Sequence, residues 1–199
     1  VTRVTGPLDG NNQRMRVDYS YDNTLHQYLT GINNVSRGES TCNVYELKTG
    51  NLQKTVDLNG HATRYLYDVY QRLVEIWAPR QLYRANSGAS ATIAFEYHPE
   101  GRNTATNAPM EETVPVAYTL HNMETVKSSN VNNTPNDQCS LQITDATLAA
   151  KTAIPTPLRT VSFTDGLGRA LQTKKEASKD DGSGSNVNTV QVSGFTEFD

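Results

Sequence analysis

NLQKTVDLNGHATRYLYDVYQRLVEIWA, residues 51–78, decides the fold class. Leu52, Lys54, Val56 and Leu58 recur at every second position with Gln53, Thr55 and Asp57 between them, the period of a half-buried strand. Asn59-Gly60 offers the two positive φ angles that a two-residue hairpin takes. In the second strand His61, Thr63, Tyr65 and Tyr67 share a face, and Asp68-Val69-Tyr70-Gln71 turns the chain into a third, Arg72 to Ala78. Pro79 has no N–H to give to a ladder and ends it. The stretch reads as a β-meander of three short strands.

Outward from this stretch, part of the unit recurs. Tyr21-Asp22, Tyr45-Glu46, Tyr67-Asp68, Tyr97-His98, Thr164-Asp165 and Phe198-Asp199 each place an aromatic residue, or Thr in its stead, before an anchoring position that is usually acidic. Successive anchors lie 24, 22, 30, 67 and 34 residues apart, so a unit of just over twenty residues repeats and later copies carry insertions. Such a period points to stacked supersecondary units, each too small to bury its own apolar face, rather than to one pocket.

An Asp at a turn accepts hydrogen bonds from N–H groups two or three residues on, and the ring before it lies on the neighbouring strand. Four residues past the anchor stand Arg72, Arg102 and Arg169, preceded by Gln71, Gly101 and Gly168. Glycine there permits left-handed backbone, and the arginine is placed to pair with the anchor acid or to lie across the ring. His26 takes that place in the first unit. In the second, Gly50 and Asn51 come one residue late, which predicts a turn longer by one.

These residues carry a resemblance. Gly50-Asn51-Leu52, Asp57-Leu58-Asn59-Gly60, Tyr65-Leu66-Tyr67-Asp68, Gln71-Arg72-Leu73 and Thr164-Asp165-Gly166-Leu167-Gly168-Arg169 resemble the RHS or YD-repeat family. Residues 161–175, VSFTDGLGRALQTKK, are particularly similar to B-component-like proteins of bacterial insecticidal toxin complexes. The likeness covers about residues 15–102 and 158–199. It implies an all-β fold, an antiparallel β-meander forming part of a curved, spiralling sheet that makes a hollow shell enclosing a toxic polypeptide, with long loop insertions. The partners it implies are the remainder of a longer chain and an enclosed C-terminal toxin or partner toxin-complex component. It also implies a secreted or cell-surface bacterial protein with no catalysis and no cofactor. No stretch resembles the aspartate-based self-cleavage core of the C-component proteins, so self-processing is not carried over.

The organisation expected is a repeat sheet over 1–102, a loop-rich insertion over 103–157 and a further repeat segment over 158–199, cut off in mid-unit. The chain starts within a strand, without Met or signal peptide, and so reads as a fragment. Within the insertion, Asn103–Asn107 and Ser128–Asp137 read as surface loops and Val114–His121 as a strand. Asp145–Lys151, with Thr144 as N-cap, reads as a short helix, and Lys179–Asn186 as a flexible loop.

Composition agrees with a sheet wetted on both faces. Hydrophobic residues make up 36%, and ten Tyr outnumber four Phe and one Trp; tyrosine covers apolar area while its hydroxyl stays in water. No apolar run reaches the ~20 residues of a membrane helix. The net charge of −3, with no Lys/Arg block, argues against nucleic acid or an anionic membrane surface.

Enzymatic constellations are thin. His26, His61, His98 and His121 are scattered without an HExxH and read as strand or turn polar groups. Cys42 and Cys139 form no CxxC and leave open a disulfide, two buried thiols or two unrelated residues, with the reduced or unpaired state preferred. Gly38-Glu39-Ser40-Thr41-Cys42 imitates GxSxG but ends in Cys, and Asp180-Asp181-Gly182 lacks the rest of a calcium loop. Asp22, Asp68 and Asp165 recur, whereas catalysis needs one site, so they read as turn formers. Two other classes stay open: a surface adhesin with Tyr65, Tyr67, Tyr70 and Trp77 as stacking rings, and an enzyme completed by flanking chain.

Overall fold

The computed structural model describes residues 1–82, 90–99, 115–122, 154, 157–165, 169–180, 186–194 and 196. They belong to two compact units, the first within residues 1–82 and the second within 90–196. Both are built of antiparallel strands, as the alternating pattern and turn chemistry require.

The first unit is a meander of β1 (Arg3–Leu8), β2 (Arg14–Tyr21), β3 (Leu29–Asn34), β4 (Glu39–Glu46), β5 (Asn51–Val56), β6 (Ala62–Tyr67) and β7 (Leu73–Trp77), followed by the single-turn α1 (Pro79–Leu82). Each strand pairs with the next in the chain. One period of the repeat, anchor to anchor, is therefore two strands, and residues 51–78 hold one period plus the strand that opens the next.

The turn between β5 and β6 differs from the two-residue hairpin expected. Gly60 is left-handed (φ 76°) but Asn59 is not among the residues with positive φ. Gly60 N–H donates to Asp57 O (3.0 Å) and Asp57 N–H to His61 O (3.0 Å). This is a three-residue loop, a type I turn closed by one left-handed residue. The Asp57 carboxylate selects it by accepting Asn59 N–H and His61 N–H on Oδ1, both at 2.8 Å.

Burial in this unit concentrates on one face of β5–β7. Val56, Ala62 and Trp77 are buried there together with Lys54 and Glu75, and registers Val56↔Ala62, Lys54↔Arg64 and Arg64↔Trp77 put them on the same side. Trp77, 2% exposed, donates its indole N–H to Glu75 Oε2 (2.9 Å). The helix α1 packs against β6 and β7 and buries Gln81 and Leu82. Pro79 at its first position needs no N–H partner, which is why the residue that ends the ladder also starts the helix.

The second unit is a meander of β8 (Ile93–His98), β9 (Val116–His121), β10 (Leu158–Thr164), β11 (Ala170–Asp180) and β12 (Asn186–Ser193). Val116, Leu120 and Phe163 are its buried strand residues, with Ala91 and Ile154 beside them in the chain's irregular parts. Lys179, Asp180 and Asn186 belong to strands rather than to the loop expected there; Lys179↔Val187 and Asp180↔Asn186 extend the β11–β12 ladder almost to its turn. The reduced state preferred for the cysteines is also overturned, since Cys42 on β4 is disulfide-bonded. Cys139 and the helix expected over Asp145–Lys151 lie outside the described residues.

Candidate functional site

In a meander successive turns alternate between the two edges of the sheet. The anchors Asp22, Glu46 and Asp68 close β2, β4 and β6, so all three lie along one edge of the first unit. Asp68 shows the basic device. Its Oδ1 accepts Tyr70 N–H and Arg72 N–H, both at 2.9 Å, and its Oδ2 takes the Arg72 guanidinium at 2.7 Å. Gln71 fills the left-handed position (φ 64°). Arg72 lies over the Tyr70 ring, 5.2 Å from its centroid, rather than over Tyr67. Burial would raise the Asp68 pKa; the Arg72 N–H and guanidinium outweigh that and hold it low.

Asp22 is the extreme case. Its carboxylate is buried and accepts five backbone N–H groups, those of Thr24, Leu25 and His26 on Oδ1 and of Gln27 and Tyr28 on Oδ2. Burial pushes its pKa up, but the N–H groups of Tyr28, Leu25, Gln27 and Thr24 push it further down, well below the carboxylate range. His26 is left-handed (φ 55°). At Glu46 the left-handed residue is Gly50 (φ 77°), four places on rather than three, so this turn is one residue longer than that at Asp68. Gly50 N–H donates to Glu46 O (2.8 Å).

Along this edge each period touches the next. The Tyr28 ring stacks on Tyr45 at 5.1 Å, a Cβ on Gly50 would stand 2.8 Å from the Tyr28 hydroxyl, and Asn51 Nδ2 donates to Gln71 Oε1. The anchor tyrosines reach back instead: Tyr67 Oη donates to Leu52 O (2.9 Å) and Tyr21 Oη to Val1 O (3.2 Å).

A further regularity escaped the sequence reading. Beside every one of these anchors the register slips by one residue, between Ser20 and Tyr21, Val44 and Tyr45, and Leu66 and Tyr67. Thr30, Gln53 and Val74 are the extra residues, always on the strand after the turn. The bulge pairs Tyr21, Tyr45 and Tyr67 with Leu29, Leu52 and Leu73. It also puts Leu52 on the side of Tyr45, away from the face of Lys54 that strict alternation assigns it. The Leu at a fixed place after each turn was the available signal. A recurrent bulge on one edge bends and twists the strands always in the same sense.

In the second unit Asp165 closes β10 with the same device. Its Oδ1 accepts Arg169 N–H (2.8 Å), its Oδ2 the Arg169 guanidinium, and the register slips between Phe163 and Thr164. Tyr97 and His98 depart from it. They end β8 opposite Ala117 and Val116 with no slip, and the His98 ring meets Tyr118 edge-on at 5.4 Å. An imidazole lacks the two acceptor oxygens that gather N–H groups, and residues 100–114, which would turn the chain after it, lie outside the described residues. Arg102, Gly168, Phe198 and Asp199 lie outside the described residues.

The two faces of the first unit differ in charge. Arg3, Arg16, Asp18, Lys54, Arg64 and Glu75 share one face, and of the charged residues of β1–β7 only Glu39 falls on the other. That other face carries Tyr19, Tyr21, Tyr45, Tyr65 and Tyr67 among Val17, Ile32 and Ile76. The four rings of the adhesin reading do not line up, because Trp77 is buried on the charged face and Tyr70 stands in a turn. Among the described residues no three His, Cys, Asp or Glu cluster to hold a metal, and no helix is long and apolar enough to cross a membrane.

A solved structure titled TcdB2-TccC3 matches 93% of this chain with a TM-score of 0.53 at 16% identity. The chain has a toxin-complex-like fold. Structures titled TcdB2-TccC3-TEV and TcdB2-TccC3-Cdc42 match the same share at 0.52, with 14% and 13% identity. The chain spans only 9–12% of the length of these neighbours. No family model and no curated protein matches it.

Proposed function

We propose that this chain is a wall segment of an RHS/YD-repeat shell that encloses and delivers a toxic effector polypeptide. The observation that carries the reading is the repeated anchor with its bulge, a device that bends a continuous sheet and has no catalytic counterpart. The toxin-complex-like fold supports it. So does the tyrosine face of β1–β7, which offers an unfolded polypeptide apolar area and hydroxyls with Glu39 as its single strand charge. The chain acts in this reading as scaffold and not as catalyst, since its recurring carboxylates are engaged by backbone N–H groups and arginines. A secreted or cell-surface location fits the disulfide at Cys42, which an oxidising compartment preserves.

The test is a cryo-electron microscopy structure of the full-length protein. The expected result is that neighbouring chain continues the sheet beyond β1 and β12 and that effector density lies against the tyrosine face. A closed domain tethered outside any cavity would overturn the proposal.

A further inference from the structure

Three arginines converge at the β1–β2 end of the charged face. Arg14, Arg16 and Asp18 alternate along one side of β2, and Arg3 on β1 pairs directly with Asp18. The carboxylate of Asp18 holds two of them: Arg3 Nε donates to Oδ1 (2.8 Å), Arg16 Nε to the same oxygen (3.0 Å), and Arg16 Nη2 to Oδ2. Arg14 is fixed separately, its Nη1 donating to Gly6 O (3.0 Å). Asp9, the other acid at this end, is occupied by the Asn11 and Gln13 N–H groups of its own turn.

One carboxylate thus stands among three guanidinium groups and engages two of them, and Arg3 and Arg14 are solvent-exposed. Each guanidinium carries five donors, and most of those on Arg3 and Arg14 have no acceptor among the described residues. Their positions are nonetheless restrained, by Asp18 and by the Gly6 carbonyl, so part of the ordering cost of binding an anion is already met.

We infer that this patch docks an acidic, extended polypeptide segment, with carboxylates at alternate residues taking the Arg14 guanidinium and the outer Nη1–Nη2 edge of Arg16, whose Nε and inner Nη2 hydrogen stay with Asp18. Residues two apart on a strand stand ~6.6 Å apart, and an extended partner repeats its side chains at the same interval. Guanidinium forks match carboxylates bidentately. The patch covers only one strand end, which suits one or two carboxylates and is too short for a membrane or nucleic acid; the chain's net charge of −3 also opposes a long polyanion. The inference is independent of whether the opposite face encloses a cargo.

The experiment uses the full-length protein and two labelled peptides, one alternating Glu with Thr and one alternating Gln with Thr, followed by thermophoresis. The glutamate peptide is expected to bind and the glutamine peptide not to, with binding lost at high salt. Arg14→Gln and Arg14→Lys are each expected to weaken it on the order of tenfold, since a point charge does not replace the fork. Circular dichroism melts should be unchanged, because Arg14 is exposed and anchors only a carbonyl. Equal binding of both peptides, no binding of either, indifference to Arg14→Gln, or a sulfated oligosaccharide binding where the glutamate peptide does not would each overturn the inference.

Discussion

Asp57 and Asp68 sit on opposite edges of the same three strands and build the same turn. Each accepts two backbone N–H groups on Oδ1, and each turn is closed by one left-handed residue, Gly60 or Gln71. Asp9 makes a third copy, with Asn12 left-handed (φ 63°). The edges differ inboard of the turn. Beside Asp68 the register slips and Tyr67 reaches across to Leu52, whereas Val56↔Ala62 and Thr55↔Thr63 run on without a slip beside Asp57. The aspartate turn is thus a general way to reverse the chain; a tyrosine and a slip at every anchor mark one edge, while the other slips only beside Asp9, between Thr5 and Leu8. A sheet lengthened at three turns on one edge and at one on the other is biased to curve.

Acid is expected to produce the largest change, because it removes every carboxylate acceptor on both edges at once. The unfolded carboxylates titrate near 3.8, while Asp18 is pulled to about 2 by Arg16 and Arg3, and Asp22, Asp57 and Asp68 are also lowered. Between those values the unfolded chain binds more protons, so stability is complete above about pH 4 and falls as pH drops toward 2. Circular dichroism melts across that range would show it; a flat melting temperature would contradict the hydrogen bonding.

Asp22→Ala comes next and tests the anchored edge at its strongest point. Five N–H groups lose their acceptor in a buried loop, and the melting temperature should fall by roughly 5–10 °C. Asp68→Ala should lower it more than Asp57→Ala, since only Asp68 also holds an arginine. Equal effects would mean that the two edges do not differ. Gly50→Ala imposes a left-handed Cβ and pushes Tyr28 off Tyr45, at a cost of about 1–2 kcal/mol by denaturant unfolding. Tyr67→Phe loses one hydrogen bond to Leu52 O, about 1 kcal/mol, while Tyr65→Phe on the same strand is expected to change little.

Much of the anchored edge was legible in the sequence because its chemistry is local. An Asp gathers N–H groups within six residues, and Arg72 and Arg169 reach their acids from four residues away. Asp9 and Asp57 make the same turn without a preceding aromatic residue, so a search keyed to tyrosine passed over them. Tyr97-His98 matched by pattern but lacks the carboxylate on which the device depends.

By itself the sequence determined the three antiparallel strands within residues 51–78, a strand ending at His121 and the acid-anchored turns at Asp22, Glu46, Asp68 and Asp165, since these follow from alternation and from side chains bonding to nearby backbone. Tertiary structure alone decided the slips at Thr30, Gln53 and Val74, the burial of Lys54 and Glu75 around Trp77, the disulfide at Cys42 and the separation of charge from tyrosine on two faces. Each of these depends on which strand lies opposite, and cross-strand register is a relation between distant residues that no local pattern carries.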